Sequence, residues 1–213
     1  MPEILFETVV HSFVMLFVII DPVGVGAIFA GLTRGGSEAF KRRMALRGPV
    51  LAGLILLVFA LGGDFVLRAL GVSISAFRIA GGILLFLVAI DMLFAHGTAL
   101  RRTTGPEEAE AEHKQDISVF PLAIPLIAGP GAMTSIVLLM GRAGDDSLLQ
   151  LAVLVVLITV LLVLLAVLLI AARVVTLLGV TGINVITRVL GIILAALAVQ
   201  FILDGVTEAF KLG

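Results

Sequence analysis

Residues 148–172 run without a single charged side chain. A helix needs about 20 mostly apolar residues to cross the hydrocarbon of a bilayer. Five further stretches also qualify: 4–32, 48–70, 74–95, 117–141 and 183–207. A soluble fold of this length has too little interior to hide them all. Composition agrees, because 61% of the 213 residues are hydrophobic and 14% are charged, where soluble domains carry about 25% charge. The strand alternative needs segments of about ten alternating residues, and no such pattern occurs. The chain reads as an all-α membrane protein with six transmembrane helices.

Several functions fall away on composition. A net charge of -1 gives no basic field for nucleic acid. Without cysteine there is no thiolate metal site or iron–sulfur cluster. His11, His96 and His113 are too far apart in sequence to form a helical metal pair. No phosphate-binding loop is present, so a transporter built from this chain would not hydrolyse ATP. No cofactor is expected. An intramembrane enzyme would need a nucleophile, a carboxylate pair or metal ligands at depth. Asp21 and Asp91 are the only deep carboxylates, and no GxGD or HExxH motif surrounds either. The start, Met1-Pro2-Glu3, lacks the positive charge of a signal peptide, so the first apolar stretch reads as a retained span.

Orientation follows from lysine and arginine. Of the 14 such residues, Arg34, Lys41, Arg42, Arg43, Arg47, Arg101, Arg102, Lys114, Arg173 and Arg188 fall on one side. Arg68, Arg78, Arg142 and Lys211 fall on the other. The richer side is expected to be cytoplasmic, which puts both termini outside. The hydrophilic stretch 96–116, with Glu107, Glu108, Glu110 and Glu112, reads as a solvated cytoplasmic loop.

The two halves, 1–95 and 117–213, echo each other. Asp21-Pro22-Val23-Gly24 aligns with Gly129-Pro130-Gly131-Ala132 at an offset of 108, as does Leu70-Gly71-Val72-Ser73 with Leu178-Gly179-Val180-Thr181. Gly82 then aligns with Gly191, and Asp91 with Gln200, at an offset of 109. Three spans per half is an odd number, so the halves must insert in opposite directions. Two inverted three-helix repeats are expected, an arrangement common among secondary transporters.

The first and fourth spans carry helix breakers at matching places. Pro22 lacks an N–H and pushes Asp21 away from helical geometry. Gly24 and Gly26 add conformational freedom. Pro121, Pro125, Gly129, Pro130 and Gly131 repeat the device. Paired interruptions of this kind point to a transporter's binding site. A broken helix offers N–H groups at one half-helix and carbonyls at the other, which suits a zwitterion between two breaks. Asp21, near mid-span, has two open roles: proton coupling or partner of a substrate ammonium, and N-cap of the half-helix starting at Pro22. Thr134, Ser135, Gln200 and Asp91 are further candidates, with Asp91 a second coupling candidate. His11 reads as an interface residue, Asp64 with Arg68 as a local ion pair, and Gly81, Gly82 and Gly191 as close packing positions.

These motifs resemble the MarC family. The resemblance rests on Asp21-Pro22-Val23-Gly24, on 39–46 with Lys41-Arg42-Arg43, on 120–132 from Phe120-Pro121 to Gly131-Ala132, and on 191–203 with Ala198-Val199-Gln200-Phe201. It covers nearly the whole chain. It implies a six-helix inner-membrane protein with Asp21, Pro22, Gly24, Gly129, Pro130 and Gly131 forming the site. It also implies transport of small neutral amino acids such as glycine and alanine, as in the SnatA-type members. The expectation is therefore a secondary transporter with a small amino acid and the lipid bilayer as partners. A passive channel or an exporter of another small solute is the alternative.

Overall fold

The structure, a computed structural model, describes residues 2–94 and 116–210. Among them it is helical throughout, with no strand. The helices are α1 (Pro2–Ile20), α2 (Pro22–Leu32), α3 (Glu38–Ala69), α4 (Ile74–Phe94), α5 (Ser118–Ile127), α6 (Pro130–Ala143), α7 (Ser147–Leu169) and α8 (Ala171–Phe210). By length and composition, α1 with α2, α3, α4, α7 and α8 are each able to cross a bilayer. The pair α5 and α6, bent by 57° at the break between them, brings the number of candidate crossings to six when the two are counted as one span. Apart from Asp116, the loop expected at 96–116 lies outside the described residues.

Two boundaries differ from the apolar stretches in the sequence. The expected span 48–70 begins ten residues earlier as a helix, at Glu38. Ser37 caps it, its Oγ accepting from the Phe40 N–H at 3.2 Å, and Lys41 pairs with Glu38 at 2.8 Å. A polar amphipathic turn can extend a membrane helix without adding hydropathy, so the apolar pattern starts late. The expected span 183–207 sits inside α8, which turns at Gly179 (φ 62, ψ 174). Only glycine takes that conformation readily.

Buried side chains such as Leu16, Ile20, Leu56, Leu85, Leu122, Ile136 and Leu194 form one core between the helices. Exposed apolar side chains, including Val58, Leu61, Leu162 and Ile192, cover the outside. That surface is acceptable in lipid and would be a liability in water.

The most extensive contact joins α4 to α8. It is antiparallel and built on small residues. A methyl group on Gly82 would lie 2.8 Å from the Ala198 carbonyl oxygen, and one on Gly191 would lie 3.2 Å from that of Ala89. One on Gly205 would lie 2.9 Å from the Ser75 carbonyl oxygen. The contacts recur every seven residues along each helix, so the two backbones stay close over several turns. In lipid such packing, rather than the hydrophobic effect, holds helices together. Elsewhere α1 packs on α7, α3 on α5, α2 on α8, α4 on α6, α2 on α7 and α3 on α6.

Connectivity puts the starts of α3 and α5 and the ends of α2 and α7 at one end of the bundle, here the basic end. The start of α1 at Pro2 and the end of α8 at Phe210 lie at the other, here the terminal end. At the basic end Arg47 bonds Asp116 at 2.7 Å, tying α3 to the chain just before α5. Hydrogen bonds from the Ser118 hydroxyl and N–H, with Arg47 beside them, hold the Asp116 carboxyl below its ordinary pKa.

Candidate functional site

α1 gives way to α2 at a buried joint. Pro22 removes one N–H from the helical ladder, and Asp21 takes the left-handed conformation (φ 49, ψ 67) that asparagine and aspartate tolerate best. The joint is narrower than the unwound midpoint expected from the sequence. The Asp21 N–H still donates to the Phe17 carbonyl at 3.0 Å, and the Val25 N–H donates to the Asp21 carbonyl at 2.9 Å. The Asp21 side chain folds over the start of α2, where its Oδ1 accepts from the Gly24 N–H at 3.0 Å. The capping role is therefore present in the structure. Asp21 and Pro22 are buried, with Asp21 at 0% exposure.

Gly24 is required by that cap. A methyl group there would lie 2.2 Å from Asp21 Oδ2 and 2.8 Å from its Cγ. No rotamer of alanine avoids this, because Cβ has no torsion of its own.

On the other side, α5 is wound as a π-helix interrupted by extended residues at Phe120 and Ile124. The peptide bonds before Pro121 and Pro125 are cis. Gly129 connects α5 to α6, and a methyl group on it would lie 2.5 Å from the Pro125 carbonyl oxygen. Pro130 then opens α6, where its missing N–H costs nothing. The first turn of α6 has no side-chain cap, so the start of that helix carries a partial positive charge that no side chain of its cap residue offsets.

The two joints meet through Ile19 and Gly131. A methyl group on Gly131 would lie 2.9 Å from Ile19 Cδ1 and 3.3 Å from Leu85 Cδ2. Further along α6, Thr134 and Ser135 are buried. Thr134 packs its methyl into the space left by Gly81 of α4. Ser135 Oγ has no hydrogen-bond partner among the described residues. Thus Asp21, Pro22, Gly24, Gly129, Gly131, Thr134 and Ser135 lie on the two elements that meet, while Pro130 is exposed.

Asp91 and Gln200 do not lie together. Asp91 is buried on α4, one turn from its end at Phe94. Gln200 is exposed and donates from Nε2 to Asp204 Oδ1 at 2.6 Å. It belongs to a polar cluster at the terminal end that the sequence did not single out. There Arg142 of α6 bonds Asp204 at 2.5 Å and His11 Nε2 at 3.0 Å. Its guanidinium lies 5.0 Å from the centre of the Phe201 ring, and His11 meets the edge of the same ring. The cluster joins α1, α6 and α8. Beside it a cavity of about 600 Å³ opens between α1 and α6, lined by Phe6, His11, Ser12, Leu139 and Arg142 among others. The only hint in the sequence was that these polar residues fall at similar depths on three spans.

The family model for "MarC family integral membrane protein" matches residues 6–210. The chain belongs to the MarC family. Among similar proteins, a UPF0056 membrane protein of Archaeoglobus fulgidus is 41% identical over 198 residues, covering 92% of this chain and 91% of the relative. The UPF0056 membrane protein YvbG of Bacillus subtilis is 34% identical over 207 residues, covering 97% of each. YhcE of Escherichia coli is 34% identical over 198 residues, covering 93% of this chain and 91% of the relative. These names identify membrane proteins and state no substrate. No solved structure matches the chain. As a MarC protein the chain is a multi-pass integral membrane protein, so the apolar exterior described above faces lipid.

Proposed function

We propose that this MarC protein is a secondary transporter of small neutral amino acids, working in the inner membrane by alternating access and coupled to protons through Asp21. The observation that carries the reading is the meeting of the two joints. A buried carboxylate at the end of α1 sits on the element that touches the uncapped start of α6. The α6 N–H groups would hold a substrate carboxylate, with the Ser135 hydroxyl as a nearby donor, and Asp21 would face the ammonium. Ile19, Leu85 and Gly131 crowd the junction, which favours a solute of glycine or alanine size.

Two inverted repeats belong to the same reading. The helix contacts support it, since α1 packs on α7 as α5 packs on α3, and α2 on α8 as α6 on α4. The α4–α8 contact supports it further. Adding 109 to Gly82 gives Gly191, and subtracting 109 from Ala198 gives Ala89, which are the two partners of the reciprocal close approach. A pseudo-two-fold axis through this contact relates the halves, with the joints at Asp21 and Gly129 as equivalent interruptions. The basic end is taken as cytoplasmic on its lysine and arginine excess, which leaves both termini outside. The cavity between α1 and α6 then opens outward.

The test is uptake of radiolabelled glycine and alanine into proteoliposomes, with and without an imposed proton gradient. Saturable uptake stimulated by the gradient is expected. Absence of uptake of either amino acid by protein that remains monodisperse and folded would overturn the substrate assignment. Fast, non-saturating flux without counterflow would favour a channel instead.

A further inference from the structure

The basic end holds a second cavity, of about 420 Å³, where the end of α2, the start of α3 and the junction of α7 with α8 come together. Arg34, Lys41 and Arg42 line it, with Glu38 as the one acidic side chain. Glu38 is engaged by Lys41 at 2.8 Å. Arg34 and Arg42 have no ion pair among the described residues, and both are exposed at the cavity's rim. Behind the cations the wall turns apolar, with Phe29, Leu168 and Leu169. Leu169 is half exposed at 50%, and just outside the cavity Leu32 and Ile170 are nearly so, at 43% and 46%. The cavity therefore lies where exposed cations give way to an exposed apolar surface, as at the headgroup level of a membrane protein.

We propose that this cavity binds the phosphodiester headgroup of an anionic phospholipid. Arg34 and Arg42 supply the charge and planar hydrogen-bonding forks that match phosphate oxygens. The apolar wall and the half-exposed leucines give the acyl chains a path back to the bilayer. That wall favours a lipid over free phosphate, which would gain nothing from it. A basic pocket between membrane helices at the headgroup level is the physical setting in which such recognition occurs. Because α2 and α3 come from the first half of the chain and α7 and α8 from the second, the bound lipid would bridge them at this end. The inference is independent of what the protein transports.

The experiment is native mass spectrometry of the full-length protein in detergent, titrated with phosphatidylglycerol or with phosphatidylcholine. The wild type is expected to retain phosphatidylglycerol and not phosphatidylcholine. The double variant Arg34→Gln, Arg42→Gln should bind it roughly twenty- to thirty-fold more weakly, from about fivefold per basic residue near an anionic headgroup. Arg43→Gln, an exposed cation outside the cavity, should bind as the wild type does. Equal retention by the double variant overturns the proposal. So does a loss in Arg43→Gln as large as that in the double variant, which would mean a diffuse surface field. Full displacement of the lipid by millimolar inorganic phosphate also overturns it, assigning the cavity to a free anion.

Discussion

Gly24→Ala isolates the joint between α1 and α2. The added methyl would lie 2.2 Å from Asp21 Oδ2, so the carboxylate must swing away and release the Gly24 N–H. Losing an N-cap costs about 1 kcal/mol. Displacing a packed, buried side chain adds about 1–3 kcal/mol. Alanine regains roughly 1 kcal/mol of helix propensity over glycine. The net is a destabilisation of about 1–3 kcal/mol, or roughly 3–10 °C in unfolding midpoint for a chain of this size. The assay must suit the sequence, which has no Cys, Trp or Tyr; thiol dyes and tryptophan fluorescence therefore report nothing. Heating a fluorescent-protein fusion and following its monodisperse peak on size exclusion serves instead. The refuting control is the same substitution in an Asp21→Gly background. Glycine carries the left-handed conformation of residue 21 without strain and has no carboxylate to displace. There Gly24→Ala should keep only the propensity gain and be mildly stabilising, giving a coupling energy of about 2–4 kcal/mol between the two sites. An undiminished penalty in that background would mean that Gly24 is needed for some reason other than the cap.

Gly82→Val and Gly191→Val should each lower stability by about 1–3 kcal/mol, since both push side-chain atoms into the facing backbone. Similar losses are expected from the reciprocal packing, and a large effect in only one would speak against equivalent positions in the two halves. Asp116→Asn should destabilise at neutral pH. The folded carboxyl has a lowered pKa, so its contribution is present above the unfolded value near 3.8 and fades as pH falls through the folded value. The gap between wild-type and variant unfolding midpoints should therefore close below about pH 4. At the terminal end, Asp204→Asn should cost about 0.5–1 kcal/mol, as befits a partly exposed pair. Arg142→Gln should cost more in the same thermal assay, because it also removes the His11 contact and the stacking on Phe201.

What the sequence made legible is local. Spans announce themselves because each one needs its own run of apolar residues, whatever its neighbours do. Asp21 before Pro22 announced a cap for the same reason, since both residues act on their own backbone. Asp64 with Arg68 is a same-helix neighbour pair, found at 2.8 Å. Gly82 and Gly191 stood out as packing positions, and the α4–α8 contact uses both. Other features depend on how helices rotate against one another, which no single stretch encodes. Gln200 matched Asp91 in linear order, yet it faces Asp204 one turn along its own helix. The Arg142, His11 and Asp204 cluster joins three helices far apart in sequence. The extended residues inside α5 were hidden behind prolines that announced only an irregularity, not its form.

In the proposed reading, the two roles left open for Asp21 are one piece of chemistry seen in two protonation states. As a carboxylate it accepts from Gly24 N–H at the positive end of α2, and a charged acceptor makes a hydrogen bond about twice as strong as a neutral one. Proton uptake weakens that bond at the one left-handed residue joining α1 to α2. The same residue is two positions from Ile19, which packs on Gly131 of α6. On that reading, a proton arriving at Asp21 would soften the joint that touches the other half of the proposed site. Asp21→Asn separates the charge from the geometry. Asparagine caps helices as well as aspartate does and tolerates the left-handed conformation, so the fold should hold and the unfolding midpoint should move by less than about 2 °C, a shift worth under about 1 kcal/mol. If the proposed coupling is right, amino-acid uptake persists and loses its response to the proton gradient and to external pH. Uptake that keeps the wild-type pH profile at full stability would leave Asp21 as a cap alone and place the coupling group elsewhere.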